Sequence, residues 1–202
     1  MSDSGSSSGI SIEMEKNMLR FIFSTLNYTM DYTKFIHVVP DFPKKGISFK
    51  DISPLLRDYD AFSSCIEDLA KLAAEYHPTV IIGAESRGFL FGPALAQKLH
   101  IGFVMARKAG KLPGETVKIS YQLEYGTATL EVPANSFTKG DRVVLIDDLL
   151  ATGGTMKAMK ELVELCEATP VVALTLITLK ELEGEKNVGI PCKTLMYLSD
   201  SH

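Results

Sequence analysis

Apolar residues fall along this chain in two rhythms. The runs "TVIIGAES" (79–86), "GFVMAR" (102–107), "RVVLIDD" (142–148), "VVALTLITL" (171–179) and "TLMYL" (194–198) are short, rich in β-branched residues and nearly unbroken. That pattern predicts strands buried on both faces. Between them, apolar residues recur at helical spacing. Phe62, Ile66, Leu69, Ala73 and Tyr76 mark one helix in "DAFSSCIEDLAKLAAEY" (60–76), with Asp60 as its expected N-cap. "GFLFGPALAQKL" (88–99) predicts a second helix. "GTMKAMKELVELCEA" (154–168) predicts a third, with Met156, Met159, Val163 and Cys166 on its apolar face. Strands alternating with helices define an α/β protein, a parallel sheet covered on both sides.

The remaining stretches are less regular. Residues 112–132 alternate and read as a β-hairpin or a long mobile loop. "DFPKKGISFKDISPLL" (41–56) is punctuated by Pro43, Gly46 and Pro54, so it reads as turn, short extended piece, turn. Met14, Met18, Phe21 and Leu26 suggest one helix between residues 12 and 36. The opening "MSDSGSSSG" predicts a disordered Ser/Gly-rich tail over residues 1–11, leaving 12–202 as a single domain.

Composition narrows the chemistry. A net charge of -4 argues against nucleic-acid binding, which favours a basic surplus. Cys65, Cys166 and Cys192 form no CxxC pair, and His37, His77, His100 and His202 form no HExxH. Neither a disulfide framework nor a protein-ligated metal is expected. The longest apolar run falls short of the ~20 residues of a membrane helix. With no signal-peptide pattern, a cytoplasmic location is expected.

The richest chemistry follows the strand "VVLI". Asp147 and Asp148 come first, then Ala151, Thr152, Gly153, Gly154 and Thr155 lead into a helix. A bare turn at a helix N-terminus offers backbone N–H groups to a phosphate, and the two threonines add hydroxyl donors. Two carboxylates would repel a lone phosphate. They suit ribose hydroxyls, or a metal ion that travels with the ligand. No GxxxxGK[ST] and no GxGxxG is present. The pattern points to a phosphorylated sugar.

"VVLIDDLLATGGT" (143–155) resembles the phosphoribosyl-pyrophosphate signature of type I phosphoribosyltransferases. "ESRGFLFGPALA" (85–96), "RKAGKLPGETVKISYQLEYG" (107–126) and the 41–56 segment resemble the adenine phosphoribosyltransferases in particular. The similarity runs from about Asp41 to Tyr197, with the segments in that family's order.

The resemblance implies the type I fold. Its central parallel sheet is flanked by helices, with a flexible active-site loop and a small hood built from about 35–56 and the C-terminal segment. It implies a homodimer and a purine-salvage reaction: adenine and phosphoribosyl pyrophosphate give AMP and pyrophosphate. Mg2+ would be carried by the donor, near Asp147.

By the same resemblance, Asp147, Asp148, Ala151, Thr152, Gly153, Gly154 and Thr155 hold the ribose and its phosphate. Glu85, Ser86, Arg87, Arg107, Lys108 and Lys111 hold pyrophosphate, and the Glu85–Ser86 peptide is cis. Ser48, Phe49, Lys50 and Leu149 surround adenine, with Phe49 as stacking platform. Glu124 faces adenine N7, and Tyr121 and Tyr125 assist closure of the loop. The catalytic set is Glu124, Arg87, Asp147 and Asp148.

Two positions depart from the family pattern. Ala109 stands where a third basic residue is common, and Lys45 stands where proline usually precedes Gly46. Two other readings use the same motifs: a transferase for hypoxanthine, guanine or xanthine, and a non-catalytic sensor of the sugar phosphate. The 41–56 segment and "YQLEYG" favour the adenine branch. The retained loop and Glu124 favour an enzyme.

Overall fold

A computed structural model describes residues 30–122 and 126–199. The helix expected within 12–36 and the tail at 1–11 lie outside the described residues, apart from the last few positions of the former. A 3₁₀ turn at Tyr32–Phe35 leads to β1 (His37–Val39) and β2 (Phe49–Asp51). Then follow α1 (Ser53–Arg57), α2 (Tyr59–Ala74), β3 (Val80–Ala84), α3 (Gly88–Leu99) and β4 (Gly102–Lys108). The hairpin β5 (Thr116–Gln122) and β6 (Thr127–Pro133) precedes β7 (Arg142–Leu150) and α4 (Gly154–Leu165). β8 (Thr169–Leu179), α5 (Glu185–Val188) and β9 (Cys192–Leu198) close the described chain.

The large sheet has the order β5-β6-β4-β3-β7-β8-β9. Its β4, β3, β7, β8 and β9 run parallel, and the β5–β6 hairpin joins antiparallel through Arg107↔Glu131 and Lys108↔Leu130. Of the two readings left open for 112–132, the hairpin is the observed one. Helices α2 and α3 pack together on one face, and α4 covers the other.

Alternation along the strands feeds both layers. Val80, Ile82, Val143 and Leu145 pack with Met156, Met159, Leu162 and Val163 of α4. The intervening Ile81, Val144 and Ile146, buried as well, serve the opposite layer with Phe91 and Leu95 of α3. Each large side chain buried this way contributes roughly 1.5–3 kcal/mol.

Two expectations change. β7 extends two residues past the expected end at Asp148, to Leu150, because its ladder with β8 continues at Asp147↔Thr175, Leu149↔Ile177 and Leu150↔Thr178. The acids therefore sit on a strand held by hydrogen bonds, with the bare turn beyond them. Helix α2 starts at Tyr59, and its N-cap is Asp58, whose carboxylate accepts from the Ala61 N–H at 2.9 Å. Asp60 lies inside the first turn. The C-terminal segment forms β9, the edge strand of the large sheet paired with β8. The hood region contributes its own two-stranded sheet, in which Val39 pairs with Phe49 and His37 with Asp51.

Candidate active site

Close approach of α3 to β7 organises the first part of the site. A side chain at Gly88 would lie 2.8 Å from the Ile146 carbonyl oxygen and 3.3 Å from Asp147 Oδ1. Only glycine lets the helix start this close to the strand. The preceding residue, Arg87, is thereby set beside the acids, with its Nε 3.1 Å from Asp148 Oδ2. Its guanidinium carbon also lies 5.2 Å from the centre of the Phe49 ring, within cation–π range. Phe42 meets the same ring edge-on at 5.2 Å. Arg87 thus joins the small sheet to the acid pair.

The acid pair is electrostatically tense. Asp148 is 2% exposed, and its Oδ2 has no hydrogen bond of good geometry despite the nearby Arg87. Asp147 Oδ1 accepts from the Asp148 N–H at 2.9 Å. Asp147 keeps part of its surface open, yet the packing around its carboxyl raises its pKa well above the usual carboxylate range. The negative charge of Asp148 adds to that rise. Burial also raises Asp148, and Arg87 opposes the rise. Such a pair favours any cation brought against it.

Among the described residues no three acid, His or Cys groups cluster to hold a metal. Two adjacent carboxylates, one of them ion-paired with Arg87, are hard oxygen donors that suit a magnesium ion whose remaining ligands come from a phosphorylated partner.

A second group braces a basic turn. The Glu85 carboxylate accepts from Arg107 Nε at 3.2 Å and Nη2 at 3.0 Å, a forked pair, and from the Lys108 N–H at 3.1 Å. Arg107 holds the Glu85 pKa below its ordinary value, with the Lys108 amide helping. Arg107 Nη1 donates to the Lys111 carbonyl at 3.0 Å. Glu85–Ser86 is a cis peptide, matching the family expectation, and so is Phe42–Pro43.

Glu131 of β6, a residue the sequence motifs do not single out, supports the same turn from beneath. It is 1% exposed. It accepts from the Lys111 and Leu112 amides at 3.1 and 3.2 Å and from Thr116 Oγ1 at 3.3 Å. Lys118 pairs with it at 3.0 Å, and this contact leads in lowering its pKa to about 2. The available signal was an acid between Leu130 and Val132 in an otherwise apolar strand.

The third group is the turn at 151–155. Gly153 has φ +86°, so it adopts a left-handed backbone, and α4 begins at Gly154 with no side-chain cap. The free amides of its first turn are left for an anion. The Tyr121 hydroxyl reaches Thr155 Oγ1 at 3.4 Å, a long contact that sets the hairpin beside the turn.

In the small sheet, Ser48 and Lys50 are both buried, and Lys50 Nζ donates to Ser48 Oγ at 2.8 Å. Phe49 points the other way, toward Arg87. The turn carrying Lys45 keeps its shape through Asp41 Oδ1, which accepts from the Gly46 N–H at 2.7 Å. Leu149 is half-buried on β7, and Glu124 and Tyr125 lie outside the described residues.

Residues 51–197 match the phosphoribosyl transferase domain family, which defines the class. The chain is 50% identical to the adenine phosphoribosyltransferase of Carboxydothermus hydrogenoformans over 159 residues, covering 79% of this chain and 94% of that protein. The crystal structure of adenine phosphoribosyltransferase from Thermoanaerobacter pseudethanolicus superposes with a TM-score of 0.81 at 46% identity, covering 83% and 98% of the two chains. The Saccharomyces cerevisiae enzyme, solved with an imino-altritol bisphosphate and adenine, gives 0.78 at 41% identity over 82% and 97%. The chain belongs to the adenine phosphoribosyltransferase family, purine-salvage enzymes of the type I fold that make AMP from adenine and phosphoribosyl pyrophosphate.

Proposed function

We propose that this chain performs the family's transfer with the donor seated over residues 147–155 and adenine between Phe49 and the acid pair. One observation carries the reading: Arg87 touches both the Phe49 ring and Asp148, so a base at one and a sugar at the other would be neighbours. Breaking the C1′–pyrophosphate bond builds positive charge on the ribose ring and negative charge on the leaving group. Fixed charges positioned beforehand stabilise that separation. Asp147 and Asp148 hold the ribose side. Arg87, Arg107, Lys108, Lys111 and the Ser86 backbone face the leaving pyrophosphate. The uncapped amides of α4, with Thr152 and Thr155, take the 5′-phosphate.

The backbone at Ser48 and Lys50 reads the base edge, and Leu149 lines the same space. Glu124 exchanges a proton with N7 of adenine, and the hairpin segment with Tyr121 and Tyr125 keeps water from the activated sugar. Magnesium bound with the donor would offset pyrophosphate charge, and Asp147 and Asp148 are the residues to hold it. No helix among the described residues is long and apolar enough to cross a membrane, in keeping with a cytoplasmic enzyme. A homodimer completes the reading, with exposed Leu90 on α3 and Met105 on β4 as the apolar contacts proposed for it.

The test is a steady-state assay of adenine against hypoxanthine, guanine and xanthine. Adenine alone should turn over. Asp147→Ala and Asp148→Ala should each lower kcat/KM by about a hundredfold or more, in the range for removing a key electrostatic group. Turnover of hypoxanthine without adenine, or near-normal kcat/KM in both variants, would refute the assignment.

A further inference from the structure

The segment between β8 and β9 presses on the 151–155 turn from outside. A side chain at Gly184 would collide with the Ala151 carbonyl oxygen and sit 2.9 Å from the Gly153 nitrogen. The approach is reciprocal: a side chain at Gly153 would collide with the Gly184 carbonyl oxygen and lie 3.3 Å from Asn187 Cβ. Two backbones meet here with no side chain between them. Beside this contact, Asn187 Nδ2 donates to the Thr152 carbonyl at 2.8 Å.

The segment is itself tied down. Asn187 N–H donates to the Gly184 carbonyl at 3.0 Å, Val188 is buried in the core, and Tyr197 of β9 donates to Glu185 at 3.1 Å. The 151–155 turn has no side-chain cap of its own. Its shape therefore depends on what leans against it.

We propose that Gly184 and Asn187 are positioning residues for the 5′-phosphate turn, fixing the Ala151–Gly153 backbone so that the first amides of α4 converge on the phosphate. The inference rests on the assignment of that turn to the phosphate. Neither residue touches the ligand. Each acts through Thr152 or Gly153, so its influence is confined to one end of the donor.

Two small ligands separate the ends: ribose 5-phosphate reports the phosphate turn, and inorganic pyrophosphate reports the basic turn at 107–111. Asn187→Ala removes the hydrogen bond, and Asn187→Asp keeps the shape but sets an acceptor against the Thr152 carbonyl. In the full chain, Asn187→Ala should raise KM for phosphoribosyl pyrophosphate and the inhibition constant of ribose 5-phosphate about three- to tenfold, the scale of one hydrogen bond. Asn187→Asp should raise both further. KM for adenine and inhibition by pyrophosphate should stay within about twofold.

Gly184→Ala should show the same selectivity with a larger loss. Should it fail to fold, the Asn187 pair decides. Normal ribose 5-phosphate affinity in both Asn187 variants overturns the proposal, as does an equal loss for pyrophosphate. Failure of the underlying reading looks different: the unaltered chain would then neither bind ribose 5-phosphate nor convert adenine, and both would fall together.

Discussion

Single residues in this protein gain meaning from what surrounds their charge. Glu131 is an acid enclosed by apolar strand residues, yet it is satisfied by two amides, a hydroxyl and a lysine. Its pKa falls from 4.5 to about 2 on folding. The unfolded chain therefore binds this proton first as the pH drops. The stability Glu131 supplies is complete above about 4.5 and disappears as the pH approaches about 2. Glu131→Gln, which cannot ionise, should melt below the unaltered protein near neutral pH, and the gap in Tm should narrow on acidification. A gap that stays constant from about pH 7 to about pH 3 would mean that the charge is not what matters. The acid pair at 147–148 was legible because two adjacent carboxylates after a buried strand have few structural uses. Glu131 was harder to read, since alternation in an antiparallel hairpin places some acids in solvent and its enclosure comes from the 108–112 turn folding back over it. Asn187 was invisible, because a single polar residue in a polar segment carries no periodic signal.

At the scale of elements, the apolar rhythm predicted the five parallel strands and the three long helices, because burial on two faces or on one stripe leaves a direct trace in sequence. The ends were less legible. The extent of β7 depends on a ladder with β8 that no local pattern reports. The apolar stripe of α2 begins beyond exposed Tyr59, so the pattern points to Asp60, two residues past the Asp58 cap. Short helices such as Ser53–Arg57 and Glu185–Val188 span too few residues to display a period. The cap itself is testable. Asp58→Ala should cost about 1 kcal/mol, lowering Tm by roughly 2–4 °C for a chain of this size. Asp60→Ala, which leaves the Asp58 cap in place, should lower Tm by less in the same melt. A larger loss for Asp60→Ala than for Asp58→Ala would return the cap to Asp60.

For the whole molecule, hydrophobic surface left half open on α3 and β4 is a property of the folded layers, and sequence alone gave no hint of it. The proposed homodimer is tested by analytical ultracentrifugation: the unaltered chain should sediment as a dimer, and Leu90→Glu combined with Met105→Glu should shift it to monomer. A dimer undisturbed by both charges would place the interface elsewhere.

Among the described residues, the small sheet of β1 and β2 shares no ladder with the large one, and Arg87 links its Phe49 ring to Asp148. Under the proposed seating of adenine, residues 37–51 supply most of the base contacts as a small cassette beside the sugar-handling part of the fold. Transplanting that cassette from a relative with another taste in purines is the shortest route to redirecting this enzyme, and Arg87 is the joint such a graft must respect.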